Sequence, residues 1–235
     1  MKSILFAFAS ILILTASGCA TYTPSMAKID PVAAGSAKGQ NKGVTVHINE
    51  HIRKAKSERA FDTDLRDDGV AALLVGIQNG HGKPFSFTEN DIVLMDGDKP
   101  LTRLSPEQAA EKAKKSAAGR AIGWSLIVPI ISIPIAATAS VMHTNKVNRQ
   151  MREDFVNKNL GNMVLAPGKD VSGFAFFEVE KTRSSFPNLT LVLTGALEGE
   201  AEKVKISVAL APIDTAVPDA APVTTATPEP TAQPK

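Results

Sequence analysis

A stretch near the centre of the chain constrains its fold most, because the 22 residues from Ala121 to Met142 carry no charge. Basic residues flank it on both sides, namely Lys112, Lys114, Lys115 and Arg120 before it and Lys146, Arg149 and Arg152 after it. As one helix the stretch would be roughly 33 Å long, about the thickness of the hydrocarbon core of a bilayer. Its centre holds Pro129 and Pro134, which remove two amide donors and favour a break in the helix.

The first 18 residues have the pattern of an export signal. Lys2 supplies the positive start, Ile4–Leu14 is an apolar run, and small residues follow it. An N-terminal membrane-anchor helix is the alternative interpretation. We expect residues 1–18 to be a signal peptide and exclude them from the fold.

The end of this signal is more specific, because Ala16-Ser17-Gly18-Cys19 resembles the lipobox of bacterial lipoproteins. The resemblance implies cleavage before Cys19 and acylation of this residue, so that several acyl chains hold the protein at a membrane. It departs from the commonest pattern at Ala16, where leucine is usual. The next residue, Ala20, resembles the outer-membrane sorting rule of enteric-type bacteria. We therefore expect a lipid-anchored protein of the cell envelope, at the outer membrane and facing the periplasm.

The net charge argues against a nucleic-acid partner, and the cysteine content excludes two kinds of cross-link. The chain has 26 basic and 24 acidic residues and a net charge of +2, whereas nucleic-acid binders usually show a strong basic footprint. We therefore expect no nucleic-acid partner. The single cysteine excludes an intrachain disulfide and a cysteine-based zinc site. We also expect no cofactor.

Apolar patterns typical of β-strands occur both before and after the central stretch. The predicted strand regions are 43–49, 70–78, 84–88, 91–95 and 100–104 before it, and 162–179, 188–194 and 204–210 after it. Region 70–78 is continuously apolar, which predicts a central strand buried on both faces. Region 162–179 contains a turn at Pro167-Gly168 between two strands, and the last two regions predict a hairpin with one wet face.

Residues 105–161 are predicted to be an insert between these two groups of strands. Ser105-Pro106-Glu107-Gln108 has the residues of a capped helix start. Residues 143–160 predict a second helix, with Val147, Met151 and Phe155 on one face. Gly119 and Gly123 form a G-x-x-x-G pattern that allows close contact between helices. Ordinary tight packing of small residues explains this pattern equally well.

The strand regions also carry a family resemblance. The run from Val70 to Leu101, with an Asn before a Lys-Pro turn, and the later run Leu165–Val179 resemble the immunoglobulin-like domain of many exported bacterial proteins. The resemblance implies a mainly β fold, an antiparallel immunoglobulin-like sandwich, with an inserted apolar helical hairpin. It implies no catalytic residues.

The predicted organisation has five parts. Residues 1–18 are a signal peptide, 19–42 a flexible tether, 43–104 plus 162–211 the β-domain, 105–161 the insert, and 212–235 a disordered tail rich in Pro, Ala and Thr.

Three interpretations of the apolar stretch stay open. It is a hairpin that bends between Val128 and Ile135 and dips into the membrane from the anchored side. It packs against the β-domain or against a second copy of the chain. It is a true single span, in which case the two groups of strands do not form one domain.

One metal motif occurs by spacing alone. His47-Ile48-Asn49-Glu50-His51 matches H-x-x-E-H, in which two histidines bind zinc and the glutamate acts as a base when the motif is helical. The residues leading into His47 alternate with period two, which predicts a strand end and a solvated turn instead.

These features together predict a non-enzymatic, lipid-anchored envelope protein. Its partners would be the membrane, a second copy of the chain or another envelope protein, with the insert making the contact. The alternatives are a ligand- or peptide-binding lipoprotein module and, more remotely, a zinc hydrolase that uses His47, Glu50 and His51.

Overall fold

A computed structural model describes residues 37–114, 133–181 and 183–215, with the backbone alone described for residues 133–145. The predicted lipidation site Cys19, the hinge residue Pro129 and the small residues Gly119 and Gly123 lie outside the described residues. The predicted signal peptide and residues 216–235 lie outside them as well.

The described ranges contain thirteen strands, three α-helices and one 3-10 turn. The helices are α1 (Lys54–Phe61), α2 (Pro106–Lys112) and α3 (Ile133–Lys158), and the 3-10 turn is Glu89–Asp91. The strands are β1 (Ala37–Asn41), β2 (Val44–Glu50), β3 (Val70–Asn79), β4 (Phe85–Phe87), β5 (Ile92–Asp96), β6 (Lys99–Pro100), β7 (Arg103–Leu104), β8 (Met163–Leu165), β9 (Asp170–Glu178), β10 (Ser185–Phe186), β11 (Leu189–Leu197), β12 (Val204–Ala209) and β13 (Ile213–Asp214).

The first sheet joins strands from both sides of the insert. Its order is β1-β2-β3-β9-β7, and all neighbours are antiparallel. Strand β3, in the middle, pairs with β9 over nine positions from Val70↔Glu178 to Gln78↔Asp170. Because β3 precedes the insert and β9 follows it, both lie on the same side of any membrane. The single-span interpretation of Ala121–Met142 is therefore wrong.

The second sheet has the order β6-β5-β11-β4-β8, with β12 also paired to β11. Strands β4 and β5 pair with the same strand, through Ser86↔Ala196 and Ile92↔Leu193. The residues between them loop out into the 3-10 turn Glu89–Asp91, which a capping box between Thr88 and Asp91 stabilises. The second sheet is therefore interrupted between β4 and β5.

The two sheets share one apolar core. Its fully buried members come from both sheets and include Val46, Ile48, Leu73, Val75, Leu94, Leu191, Leu193, Ile206 and Val208. Strands β11 and β12 alternate between buried and more exposed positions, as predicted for a hairpin with one wet face. The prediction of a mainly β, antiparallel fold is confirmed.

A second apolar cluster covers the other face of the first sheet. Its largest side chains are four phenylalanines from α1, α3 and β9, namely Phe61, Phe155, Phe174 and Phe176. Strand β9 serves both clusters because successive side chains of a strand point to opposite faces. Phe174 and Phe176 belong to the helix-covered cluster, whereas Ala175 and Phe177 belong to the core between the sheets.

Two predicted boundaries need correction. Ala37–Asn41, which the sequence places in the flexible tether 19–42, forms the edge strand β1, paired with β2 from Ala37↔Ile48 to Asn41↔Val44. Ile213–Asp214, which the sequence places in the disordered tail 212–235, forms β13, paired with β10. The side chain of Ile213 is 2% exposed, so the core holds this end of the domain.

The predicted helical hairpin is described in part. Pro134 lies in the first turn of α3, where its missing amide hydrogen is not needed for the helix. The predicted bend between Val128 and Ile135 falls mostly outside the described residues and stays a prediction. Within residues 37–114, 133–181 and 183–215, none of the helices has both the length and the apolar character that a membrane crossing requires.

Candidate functional site at the base of the insert

The insert leaves the β-domain through a firmly capped helix. Strand β7 ends at Leu104, and the side chain of the next residue, Ser105, accepts a hydrogen bond from the Gln108 amide at 3.2 Å. In return the Ser105 amide donates to Gln108 Oε1 at 2.8 Å. Pro106 follows the cap, so the predicted helix start is confirmed. Helix α2 buries Ala109 and Ala110 against the first sheet.

The insert returns through the longer helix α3, whose last turns lie on the same face. Val147, Met151 and Phe155 are at most 2% exposed, which confirms the predicted helical period. The Phe155 ring lies 4.6 Å from that of Phe61 and 5.2 Å from that of Phe176, between ring centroids. Such aromatic pairs add to the free energy of burial. The C-terminal half of α3 is therefore fixed to the sheet.

A polar clamp holds the chain where the insert rejoins the second sheet. Asn159 Nδ2 donates to Glu89 Oε1 at 2.9 Å, and the Glu89 amide donates to Asn162 Oδ1 at 2.8 Å. The Leu160 amide donates to the Phe174 carbonyl at 2.9 Å, and the Leu160 side chain enters the core between the sheets. The 3-10 turn between β4 and β5 therefore holds the return segment in place through the hydrogen bonds of Glu89.

Glycine is required beside this clamp. A Cβ atom on Gly173 would lie 2.8 Å from the Leu160 nitrogen, closer than real side chains come. The return segment therefore passes directly over the backbone of β9, and the small residue in Gly-Phe-x-Phe-Phe makes room for it.

Helices α2 and α3 enclose a charged groove of about 470 Å³. Its lining residues are Glu107, Gln108, Ala110, Glu111, Lys114, Asn148, Arg149 and Arg152. Three of the basic residues that flank the apolar stretch, from both sides of it in sequence, thus lie on one surface. We call this surface, defined by Lys114, Arg149 and Arg152, the basic collar.

The acidic residues of the groove are engaged locally. Glu111 and Lys114 form a salt bridge with a separation of 3.0 Å. Hydrogen bonds from its own amide and from the Ser105 hydroxyl, and then the charge of Arg152, hold the pKa of Glu107 below its usual value. The Ser105 hydroxyl donates to Glu107 Oε2 at 2.9 Å. Glu107 is therefore ionised and belongs to the helix cap.

The H-x-x-E-H residues do not line this groove. His47 lies within β2, opposite Gly76, and His51 follows the strand. The Glu50 carboxylate accepts hydrogen bonds from Arg53 Nη1 at 2.8 Å and from Lys56 Nζ at 2.9 Å. No group of three or more metal-ligating side chains occurs among the described residues. The geometry gives the zinc-hydrolase alternative no support.

His51 instead has a structural environment that the sequence does not reveal. Its side chain is 4% exposed, and its ring packs edge-on against Phe174 at 5.0 Å between centroids. Nδ1 lies 3.2 Å from the Lys56 carbonyl and must carry the hydrogen, because a carbonyl only accepts. Nε2 is buried and has no hydrogen-bond partner. Burial lowers the pKa of His51 to about 4, so the ring is neutral.

Arg103 is a second buried polar group that sequence reasoning missed. Its guanidinium lies 5.0 Å from the centroid of the Phe177 ring, a cation–π distance. All three guanidinium nitrogens are buried without a hydrogen-bond partner. Burial lowers the pKa of Arg103 to about 10, with Glu89 opposing the shift. One sequence signal was available for this placement. Arg103 lies in a predicted strand region, and alternation along a strand places its side chain on the opposite face from that of Leu104.

Another concavity, of about 440 Å³, lies on the second sheet beside the edge strand β8. Val164, in its lining, is 70% exposed. Of its polar lining residues, Asp91 accepts from the Thr88 amide at 2.8 Å and from the Thr88 hydroxyl at 2.7 Å, and Asn162 is held by Glu89. Asp91 and Asn162 are therefore already engaged in local structure. This concavity does not favour the ligand-binding alternative.

Comparison with known proteins gives little further information. No family model matches the chain, and no curated protein matches it. Among solved structures, it is similar to a candidate lipoprotein, ycdA, from Bacillus subtilis subsp. subtilis str. 168, with 14% identity, a TM-score of 0.37 and coverage of 77% of this chain. The chain spans 39% of the length of that structure. A TM-score this low does not establish a common fold.

Proposed function

We propose that this chain is a lipid-anchored, non-enzymatic protein of the cell envelope that acts as an interaction component of a membrane-associated assembly. In this proposal Cys19 carries the lipid anchor, and the β-domain is an immunoglobulin-like sandwich at the outer membrane facing the periplasm. The insert makes contact with the membrane or with a second copy of the chain.

The observation that carries the proposal is the anchoring of both ends of the insert on one face of the β-domain. Helix α2 begins at a capped position on the first sheet, and α3 returns to the same face through Met151 and Phe155. Because the β-domain holds both ends of the uncharged stretch, the stretch is suited to contact a membrane or a second copy of the chain. Shorter connections would be enough to link β7 to β8.

Replacement of Cys19 tests the lipid anchor. Cys19→Ser removes the thiol that would be acylated, so we expect loss of acyl-chain incorporation and release of the chain from membranes. Ala20→Ser is a suitable control because it changes the neighbouring residue and keeps the thiol. Continued tight membrane association of Cys19→Ser, with no acyl chain attached, would contradict the proposed anchor.

Deletion of residues 119–143 tests the insert. The three described apolar anchors of α3 all follow residue 143, so we expect the β-domain to stay folded, as checked by circular dichroism and thermal unfolding. The proposal predicts that the deletion changes either the oligomeric mass, measured by light scattering, or the contact with lipid vesicles. If a folded deletion variant changes neither property, the proposed role of the insert is wrong.

A further inference from the structure

The basic collar brings together cationic side chains from both ends of the insert. Lys114 follows α2, whereas Arg149 and Arg152 lie on α3, and all three are exposed on the wall of one groove. In sequence they are separated by the whole apolar stretch. Their convergence follows from the packing of α2 beside α3 on the first sheet.

Arg149 and Arg152 are exposed cationic groups at the base of the insert, although the charge of Arg152 also acts on Glu107. Lys112 is bound to Glu178 at 2.7 Å, and Lys158 donates to Asp154 Oδ2 at 2.7 Å and to the Ala60 carbonyl at 2.6 Å. Among the residues that the structure describes, neither Arg149 nor Arg152 forms a salt bridge. The collar therefore offers two guanidinium groups, with Lys114 beside them sharing its charge with Glu111.

The position of the collar along α3 indicates which ligand it meets. Helix α3 is continuous from Ile133 to Lys158, so Arg149 lies about 10 Å beyond the last residue of the uncharged stretch, Met142. Basic side chains that follow an apolar segment typically reach the level of lipid headgroups. An acidic protein surface would not require this juxtaposition with 22 uncharged residues.

We propose that the basic collar binds the phosphate groups of anionic lipid headgroups. A guanidinium group presents paired N–H donors whose geometry matches phosphate oxygens. Basic residues close to an anionic membrane surface are attracted to it electrostatically. This inference rests on the proposed function, because it assumes that the insert contacts the membrane; it adds the chemical class of the lipid and the residues that recognise it.

The single tryptophan of the chain, Trp124, lies in the uncharged stretch and provides a reporter without labelling. The full-length lipid-anchored protein is placed in vesicles of phosphatidylcholine, with or without phosphatidylglycerol, that contain lipids with brominated chains. Quenching of Trp124 fluorescence reports contact of the insert with the lipid chains. We expect the ratio of quenched to unquenched protein to rise roughly tenfold with phosphatidylglycerol and to fall again at high salt.

The collar variant Lys114→Gln/Arg149→Gln/Arg152→Gln should lose most of this rise, to about twofold or less. The matched control is Lys38→Gln/Lys169→Gln/Lys203→Gln, which removes the same charge from exposed positions elsewhere and should keep the rise. Thermal unfolding checks that both variants are folded.

The possible results separate the collar from the proposed function. Equal quenching in both kinds of vesicle would contradict the binding of anionic headgroups by the collar, while still supporting contact of the insert with the membrane. An equal loss in the collar variant and the control would also contradict that binding, since net charge alone would then explain the effect. Absence of quenching in every case would contradict membrane contact itself and the collar with it.

Discussion

The two faces of the first sheet are buried by different means. The inner face meets the second sheet, and its residues are mostly aliphatic, such as Val46, Leu73 and Val75. The outer face is covered by helices, and its largest side chains are phenylalanines, with Phe61 and Phe155 facing the sheet. The inner core joins the two groups of strands into one domain. The outer cluster makes the ends of the insert part of that domain.

Each face also includes a buried polar group without a full set of partners. On the outer side His51 packs against Phe174 and has an unpartnered Nε2. On the inner side Arg103 lies over Phe177 with its guanidinium unpartnered. Burial of an unpaired charge costs more than burial of a neutral ring. The two groups should therefore respond differently to pH and to substitution.

The largest expected effect comes from removing the main aromatic contact of the outer face. Phe155→Ala leaves a cavity between α3 and the sheet, so we expect the free energy of unfolding to fall by about 3–5 kcal/mol. Chemical denaturation measures this change. Val156→Ala is the control, because Val156 is 43% exposed and its truncation should cost little. A loss below about 1 kcal/mol for Phe155→Ala would show that the outer face does not hold the insert.

The second-largest expected effect is destabilisation of the outer face by acid. The pKa of His51 is about 4 in the fold and 6.5 in the unfolded chain, so between these values the unfolded chain binds more protons. Stability is therefore present above pH 6.5 and is lost as the pH falls towards 4, by about 3 kcal/mol. Denaturation at several pH values should show this slope in the wild type.

The slope should be absent in His51→Phe and retained in His81→Gln, whose histidine is only partly covered. Both variants must unfold in one transition for this comparison. If His51→Phe keeps the full slope, another group causes the pH dependence of the outer face.

A change on the inner face should act in the opposite direction. Arg103→Met keeps an apolar chain over Phe177 and removes a buried, unpartnered charge, so we expect stability to increase by about 2 kcal/mol. Arg103→Lys keeps the charge and should give no gain. Thermal and chemical unfolding measure both variants. Destabilisation by Arg103→Met would mean that the guanidinium contributes more to the inner face than its contact with Phe177.

The smallest expected effect concerns the start of α2 on the outer face. Ser105→Ala removes the acceptor of the Gln108 amide, so stability should fall by about 1 kcal/mol. Ser105→Asp retains an acceptor and should cost less. A Ser105→Ala variant with unchanged stability would indicate that packing of Ala109 and Ala110 alone fixes the helix.

Local patterns predicted the elements that are stabilised by burial. The continuous apolar run of β3 and the alternation of β11 and β12 predicted the correct strands. Buried strand positions require apolar side chains, so the local pattern shows them. The cap at Ser105 and the apolar spacing of α3 were also correct. The outer phenylalanine cluster was not predicted, because it depends on contacts between Phe61, Phe155 and Phe176, which lie far apart in sequence.

Other features depend on tertiary contacts that leave no local signal. Strand β1, with the sequence Ala-Lys-Gly-Gln-Asn, has no apolar alternation and exists because its backbone pairs with β2. The predicted strand 100–104 changes sheets in its middle, since the Leu101 amide donates to Leu94 and the Thr102 carbonyl accepts from Glu178. The lipid anchor and the hinge at Pro129 stay predictions from sequence.

The pairing of β3 with β9 has a consequence for the order of folding. Strand β3 is the most apolar strand before the insert, yet the residues that complete its ladder follow roughly 100 positions later, at a closure cost that grows only slowly with loop length. Until β9 is available, β3 presents an unpaired apolar edge that other chains can pair with. Folding of this domain is therefore a late, non-local event, and its slowest step should depend only weakly on the length of the insert.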